Sequence, residues 1–168
     1  MNTVKTTTSA IAGIIVVAIL LSVIQFLLRN LRSKSESDFR IKSAYGLWFS
    51  SLFIGTCLIA AKVVTFLDEA IDNIYKMNSS NPALAIAKAS SLYIGLSVAW
   101  FLLWYFIAKV LSTMITGNRK EFEEMELNNT YYFLIRGLIV IGFIFSLSPV
   151  LDTIFRVVMP NVQLPFYH

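Results

Sequence analysis

The chain predicts an all-α, polytopic membrane protein: four transmembrane helices in a bundle, its halves compatible with two parallel helix-hairpin repeats. Three observations carry that reading. Of 168 residues, 57% are hydrophobic and only 14% charged, with mean hydropathy +0.69. A soluble domain carries about a quarter charged residues, so this chain could not keep its surface wet. The apolar residues gather into four runs, 9–28, 43–67, 83–111 and 130–151. Each meets the roughly 20 residues a helix needs to cross a ~30 Å hydrocarbon layer. None shows the strict alternation of barrel strands, and only helices or closed barrels satisfy their peptide groups in lipid. The whole of 1–168 is read as a single transmembrane domain.

The first run is expected to be a retained helix. It is too long for the apolar core of a signal peptide, and no small-x-small site precedes the charged segment that follows it. The second run places Gly46, Ser50, Cys57 and Ala61 within about 60° of one another at 100° per residue. The third opens at Asn81-Pro82, where Asn can cap and Pro suits the first helical position. Gly117 is its expected stop. That helix would span about 30 residues, or ~45 Å, and must tilt or protrude. Its bulky stretch, Trp100, Phe101, Trp104, Tyr105 and Phe106, is expected to meet lipid or a neighbouring subunit. In the fourth run Pro149 is placed to kink the helix, and Pro160 and Pro165 leave residues 157–168 as an extended tail. The second and fourth runs both end in Leu-Asp, at Leu67-Asp68 and Leu151-Asp152, the mark of the repeat reading.

Loop charges set the expected orientation. Linker 29–42 carries Arg29, Arg32, Lys34, Arg40 and Lys42, and linker 112–129 carries Arg119 and Lys120. The middle linker is acidic, with Lys76 its one basic residue. Positive charge stays inside, so both termini are expected outside and the first and third linkers in the cytoplasm. Lysine, asparagine, isoleucine and phenylalanine usage fits an AT-rich genome, and a bacterial inner membrane is the expected location. The net charge of +4 and pI near 9.3 do not point to nucleic acid. The basic excess flanks a membrane segment, where it reads as a topology signal or an anionic-lipid contact.

An arginine at the bilayer centre costs at least ~2.5–3.5 kcal/mol on insertion scales. Arg136, inside the apolar stretch 131–147, is therefore expected to snorkel back to the interface, near Glu121, Glu123, Glu124 and Glu126. On that reading Arg136→Gln would have a modest effect. The acidic stretch itself reads as a solvated helical face. Lys62 is expected to reach outward toward Asp68 or Glu69. Asp152 and Arg156, four apart on one helical face, would satisfy each other. Ser22 and Gln25 share a face with Ala18, which suggests an interhelical hydrogen bond. The candidate polar positions are thus Arg136, Lys62, Gln25, Asp68, Asp152 and Arg156.

Catalytic patterns are missing from the sequence. The one histidine is His168 and the one cysteine is Cys57, so no Ser-His-Asp, Cys-His or HExxH arrangement can be built. No zinc set or glycine-rich phosphate loop is present either. No enzyme activity, metal or cofactor is expected. The positive signal is small residues at helical spacing: Ala87, Ser91, Gly95 and Ala99 in the third run, the second-run set above, and Gly142 and Ser146 in the fourth. Such stripes let membrane helices approach closely, either within the chain, second helix against third, or between chains. The expected function is a non-catalytic integral membrane subunit that packs into a larger membrane assembly through these faces, with lipids and other membrane subunits, or copies of itself, as partners. The alternative is a homo-oligomeric channel or a permeability effector in stress or antiviral defence. Asp68, Glu69, Asp72 and Asp152 would then gather cations at its mouth.

Overall fold

Uninterrupted leucine, isoleucine, alanine and phenylalanine, with no proline inside the first three runs, let the helices continue past the ends of the apolar segments. In the computed structural model, which describes residues 2–37, 40–77 and 81–160, α1 is Asn2–Ser35, α2 Ser43–Lys76 and α3 Pro82–Thr116. A short α4, Glu121–Glu126, occupies the third linker, and the fourth run is divided into α5, Thr130–Ser146, and α6, Ser148–Val157. The first linker pairs two residues with two, β1 (Glu36–Ser37) antiparallel to β2 (Arg40–Ile41). Three helices are long and apolar enough to cross a membrane, or four if the bent α5–α6 pair is one crossing. The expected tail beyond Pro160 lies outside the described residues.

The helix ends follow local chemistry. Asn81 caps α3 by accepting from the Leu84 N–H at 3.2 Å, Pro82 takes the first turn, and Gly117 ends the helix at φ +80°. Asn129 caps α5 through the Tyr132 N–H. The break between α5 and α6 is a 47° bend. Pro149, in the first turn of α6, has no N–H to offer the carbonyl four residues back, and its ring crowds that carbonyl.

The α2 helix is the axis on which α1, α3 and α5 all pack. On α1 the buried face is Ala12, Val16, Leu20, Ile24, Leu28 and Leu31, while Ile14 and Phe26 on other faces are 70% and 77% exposed. A helix apolar on every side belongs in lipid. Aromatic rings fill the interior. Trp48 lies 6.0 Å from Tyr105 and 6.2 Å from Phe133, and Phe155 lies 5.4 Å from Phe66 and 5.1 Å from Tyr93. The third-run aromatics are thus turned inward, contrary to the sequence expectation: Trp100, Phe101 and Tyr105 are buried, and Phe106 alone of the five is exposed.

The segment around α4 is built into the fold. Met125 is fully buried and Glu124 nearly so. Glu124 accepts from Arg119 at 3.1 Å and from Asn129 at 2.6 Å. Asn128, at φ 53°, accepts from the Ala44 N–H at 3.0 Å and the Ser43 hydroxyl at 3.2 Å. It therefore caps α2, whose own flanking residue Lys42 makes no side-chain cap. The solvated-face reading holds for Glu123 and Glu126, which are exposed, and is corrected for Glu121 and Glu124: an N-terminus that Lys42 does not cap draws the linker onto the helix ends. Asn128→Ala is expected to lower stability by about 0.5–2 kcal/mol, the range for loss of a cap, read by SDS titration in mixed micelles.

Candidate functional site

Ion pairs join the helices at two levels, one buried and one half-exposed. Trp48 and Lys62 mark them on α2, fourteen residues or ~21 Å apart by helical rise.

At the first level Arg136 projects from α5 into the space between α2 and α3. Its side chain is 1% exposed, and Nη1 lies 2.7 Å from Glu121 Oε1. That contact is ionic and lacks the alignment of a hydrogen bond, and the Tyr105 and Tyr132 side chains lie beside the guanidinium. The guanidinium instead lies over rings, with Cζ 4.7 Å from the Trp48 centroid and 5.7 Å from that of Tyr105. Lys109 approaches the other Glu121 oxygen at 3.7 Å. Pairing with the acidic cluster is as expected, but the route is not. The arginine does not reach out to a wet edge; α4 brings the carboxylate in.

At the second level Lys62 Nζ meets Asp152 Oδ2 of α6 at 2.8 Å. The sequence reading sent Lys62 to Asp68 or Glu69 because it ended the helix at Leu67. Instead α2 runs on to Lys76, and the 47° bend brings Asp152 to the lysine. Asp152 is consequently not paired with Arg156, whose Cζ lies 5.3 Å over the Phe66 ring. The bend leaves a cavity of about 440 Å³ bordered by Lys62, Ser146, Ser148 and Pro149. Asp68 is half-buried on α2. The expected interhelical hydrogen bond on α1 is not made: Ser22 donates to Ala18 O of its own helix at 2.8 Å, and Gln25 is exposed.

The small-residue faces point away from the interior. Gly46, Ser50, Cys57 and Ala61 on α2, Ala87, Ser91, Gly95 and Ala99 on α3, and Gly142 and Ser146 on α5 are all exposed. A Cβ added at Gly46, Gly95 or Gly142 would meet nothing within 4 Å. The α2–α3 contact expected through these stripes is therefore corrected. Other small residues make the close approaches. A Cβ at Gly13 would come 2.9 Å from Val64, one at Gly55 2.9 Å from Ile144, and one at Gly137 2.6 Å from Ser51 Cβ. The signal for them was present, since Ser51 and Gly55 are also four apart, but the sequence reading passed over that face. Trp48 and Tyr105, the rings under Arg136, carry no such signal in the sequence.

Among the described residues no group of three or more His, Cys, Asp or Glu is placed to hold a metal. What the geometry defines is a helical protein of membrane-crossing character, with one buried ion pair, one ion pair at a helix break and three outward small-residue faces. The chain matches no protein-family model, no curated protein and no solved structure.

Proposed function

We propose that the protein is a non-catalytic integral membrane subunit, a four-helix bundle of two parallel hairpins that docks into a larger membrane assembly through its outward small-residue faces. One observation carries this reading: Ala87, Ser91, Gly95 and Ala99 form an exposed stripe on α3, with open space beside Gly95. Lipid tails are as apolar as leucine, so membrane helices associate through close backbone approach rather than by hiding apolar surface. A stripe unused inside the chain is available to a helix outside it. The proposed setting is a bacterial inner membrane, with both termini outside and linkers 29–42 and 112–129 in the cytoplasm.

The test is Gly95→Leu with Ala99→Leu, followed by particle mass in mild detergent. Both positions are exposed, so helicity and melting are expected to stay those of the parent while the assembly falls apart. An assembly of unchanged mass would overturn the reading. A ring of identical chains passing ions in liposomes would instead favour the channel, which the aromatic-filled interior would confine to a path between copies.

A further inference from the structure

Independent of that reading, the α5–α6 break holds charge at a depth that lipid still reaches. On α2, Lys62 comes six residues before Asp68, the next charged residue, which is ~9 Å by helical rise. At the height of Lys62, Gly13 of α1 lies against Val64. Beside Gly13, Ile11 and Ile14 are 54% and 70% exposed, and apolar faces of this kind belong in lipid. A lysine at such a depth can extend its head to the interface. Lys62 does not: Asp152 holds it at 2.8 Å, with the two side chains 40% and 28% exposed. Asp152 is its one hydrogen-bond partner among the described residues, so two of the three ammonium N–H groups stay available. Charge inside a membrane faces protein or a polar cavity rather than bare hydrocarbon.

Here the polar groups open onto the cavity of about 440 Å³, whose lining includes Leu58, Lys62, Phe145, Ser146 and Ser148. Neither serine hydroxyl is hydrogen-bonded to a described residue. Helical bonding also lapses at this point. Pro149 has no N–H to offer Phe145 O, and Val150 donates to Leu147 O at 3.0 Å rather than to Ser146 O. The break thus sets donors, from Lys62 and the two hydroxyls, beside carbonyl oxygens at the negative end of α5. Asp152 balances Lys62, so the site as a whole carries no net charge.

We propose that this opening binds one zwitterionic phospholipid with a primary ammonium, phosphatidylethanolamine. Its phosphate takes the remaining Lys62 N–H groups and the Ser146 and Ser148 hydroxyls. Its ammonium takes the carbonyls that end α5, as the C-terminal end of a broken membrane helix suits a cation. An acyl chain lies on Leu58 and Phe145. An anionic phospholipid would bring unbalanced negative charge to an ion pair that is already neutral. A choline headgroup carries both charges but has no N–H to donate to the carbonyls. Free phosphoethanolamine has the headgroup chemistry and lacks the chain that the apolar wall would hold.

The experiment is native mass spectrometry of the full chain in mild detergent, with phosphatidylethanolamine, phosphatidylcholine, phosphatidylglycerol or free phosphoethanolamine added. One phosphatidylethanolamine is expected to remain bound, with at least fivefold preference over each of the other two lipids and no comparable retention of phosphoethanolamine. Lys62→Met with Asp152→Leu removes both charges together, so neither is stranded, and is expected to lower retention at least tenfold. Ser146→Ala with Ser148→Ala spares the ion pair and is expected to lower retention at least threefold with helicity unchanged, while Lys88→Ala on α3 leaves it as it was. If the charge-free variant lost helicity, the serine pair would decide. Equal retention of the three lipids, a preference for phosphatidylglycerol, serine variants that bind like the parent, or phosphoethanolamine holding as well as the lipid would overturn the proposal.

Discussion

Glu121→Gln is expected to cost about 3–5 kcal/mol of folding stability, the penalty for removing one partner of a buried ion pair. Glutamine keeps the size of the side chain and removes only its charge, so a loss of packing would not explain the result. Arg136 has no second ion-pair partner among the described residues: its side chain is 1% exposed, and the uncharged Tyr105 and Tyr132 side chains beside it do not replace a carboxylate. The Trp48 and Tyr105 rings remain, yet a cation over a ring is worth only about 0.5–2 kcal/mol, short of a carboxylate lost from an interior site. Lys109 is different, being 53% exposed and able to turn away. Arg136→Gln removes the closer partner of Glu121, which keeps Lys109 at 3.7 Å, and is expected to cost less than Glu121→Gln but more than the modest change that a snorkelling side chain would allow. Removing both charges, Arg136→Met with Glu121→Met, should recover most of the loss, because apolar replacements of a whole buried pair are often neutral. SDS titration followed by circular dichroism would measure all four proteins. A Glu121→Gln loss within about 0.5 kcal/mol, the size of an ordinary surface change, would mean that the pair carries no such weight.

Why the sequence pointed to Arg136 but not to its surroundings follows from what each signal depends on. Apolarity is a local property, so the four long runs could be counted, and Asn81, Gly117 and Pro149 act within one turn of where they stand. Asn81 caps, Gly117 stops α3 and Pro149 lies at the bend. Which face of a helix turns inward is not local. In water, polar residues would label the outer face, but α1 exposes Ile14 and Phe26 while burying Val16 and Ile24. Lipid and protein interior are alike to such a helix, so only shape distinguishes them. On α2 two small-residue faces compete, Gly46, Ser50, Cys57 and Ala61 against Ser51 and Gly55, and spacing alone cannot rank them. The second is chosen because Ile144 of α5 fits beside Gly55 and Gly137 fits beside Ser51. The α4 segment was misread for a related reason. Four glutamates within six residues suggest solvent, until a buried cation on another helix and the N-terminus of α2 are brought within reach.

The same alanine substitution at two glycines of α5 is expected to act with opposite sign. Gly142→Ala adds a methyl group where nothing lies within 4 Å, and replaces the poorest ordinary helix former with the best, a gain of up to ~1 kcal/mol. Gly137→Ala has the same propensity gain but sets its Cβ 2.6 Å from Ser51 Cβ. That atom is fixed to the backbone of α2, so no rotamer change relieves the contact, and α2 and α5 must move apart. Overpacking of this kind costs about 1–3 kcal/mol, occasionally more. The separation would also loosen what the close approach holds in place, since Arg136 is the preceding residue and Trp48 lies one turn before Ser51. No apolar burial offsets it, because the added methyl leaves lipid for an equally apolar interior. Ser51→Gly removes the opposing side chain and is expected to restore Gly137→Ala nearly to the level of the Ser51→Gly single variant, which itself loses some helix propensity and the hydroxyl contact to Leu47 O at 2.9 Å. The four proteins form a double-mutant cycle whose coupling term isolates the clash. If Gly137→Ala proved as stabilising as Gly142→Ala, or if Ser51→Gly gave no rescue, α2 and α5 would not be in contact at this point, and the placement of Arg136 between α2 and α3 would fail with it.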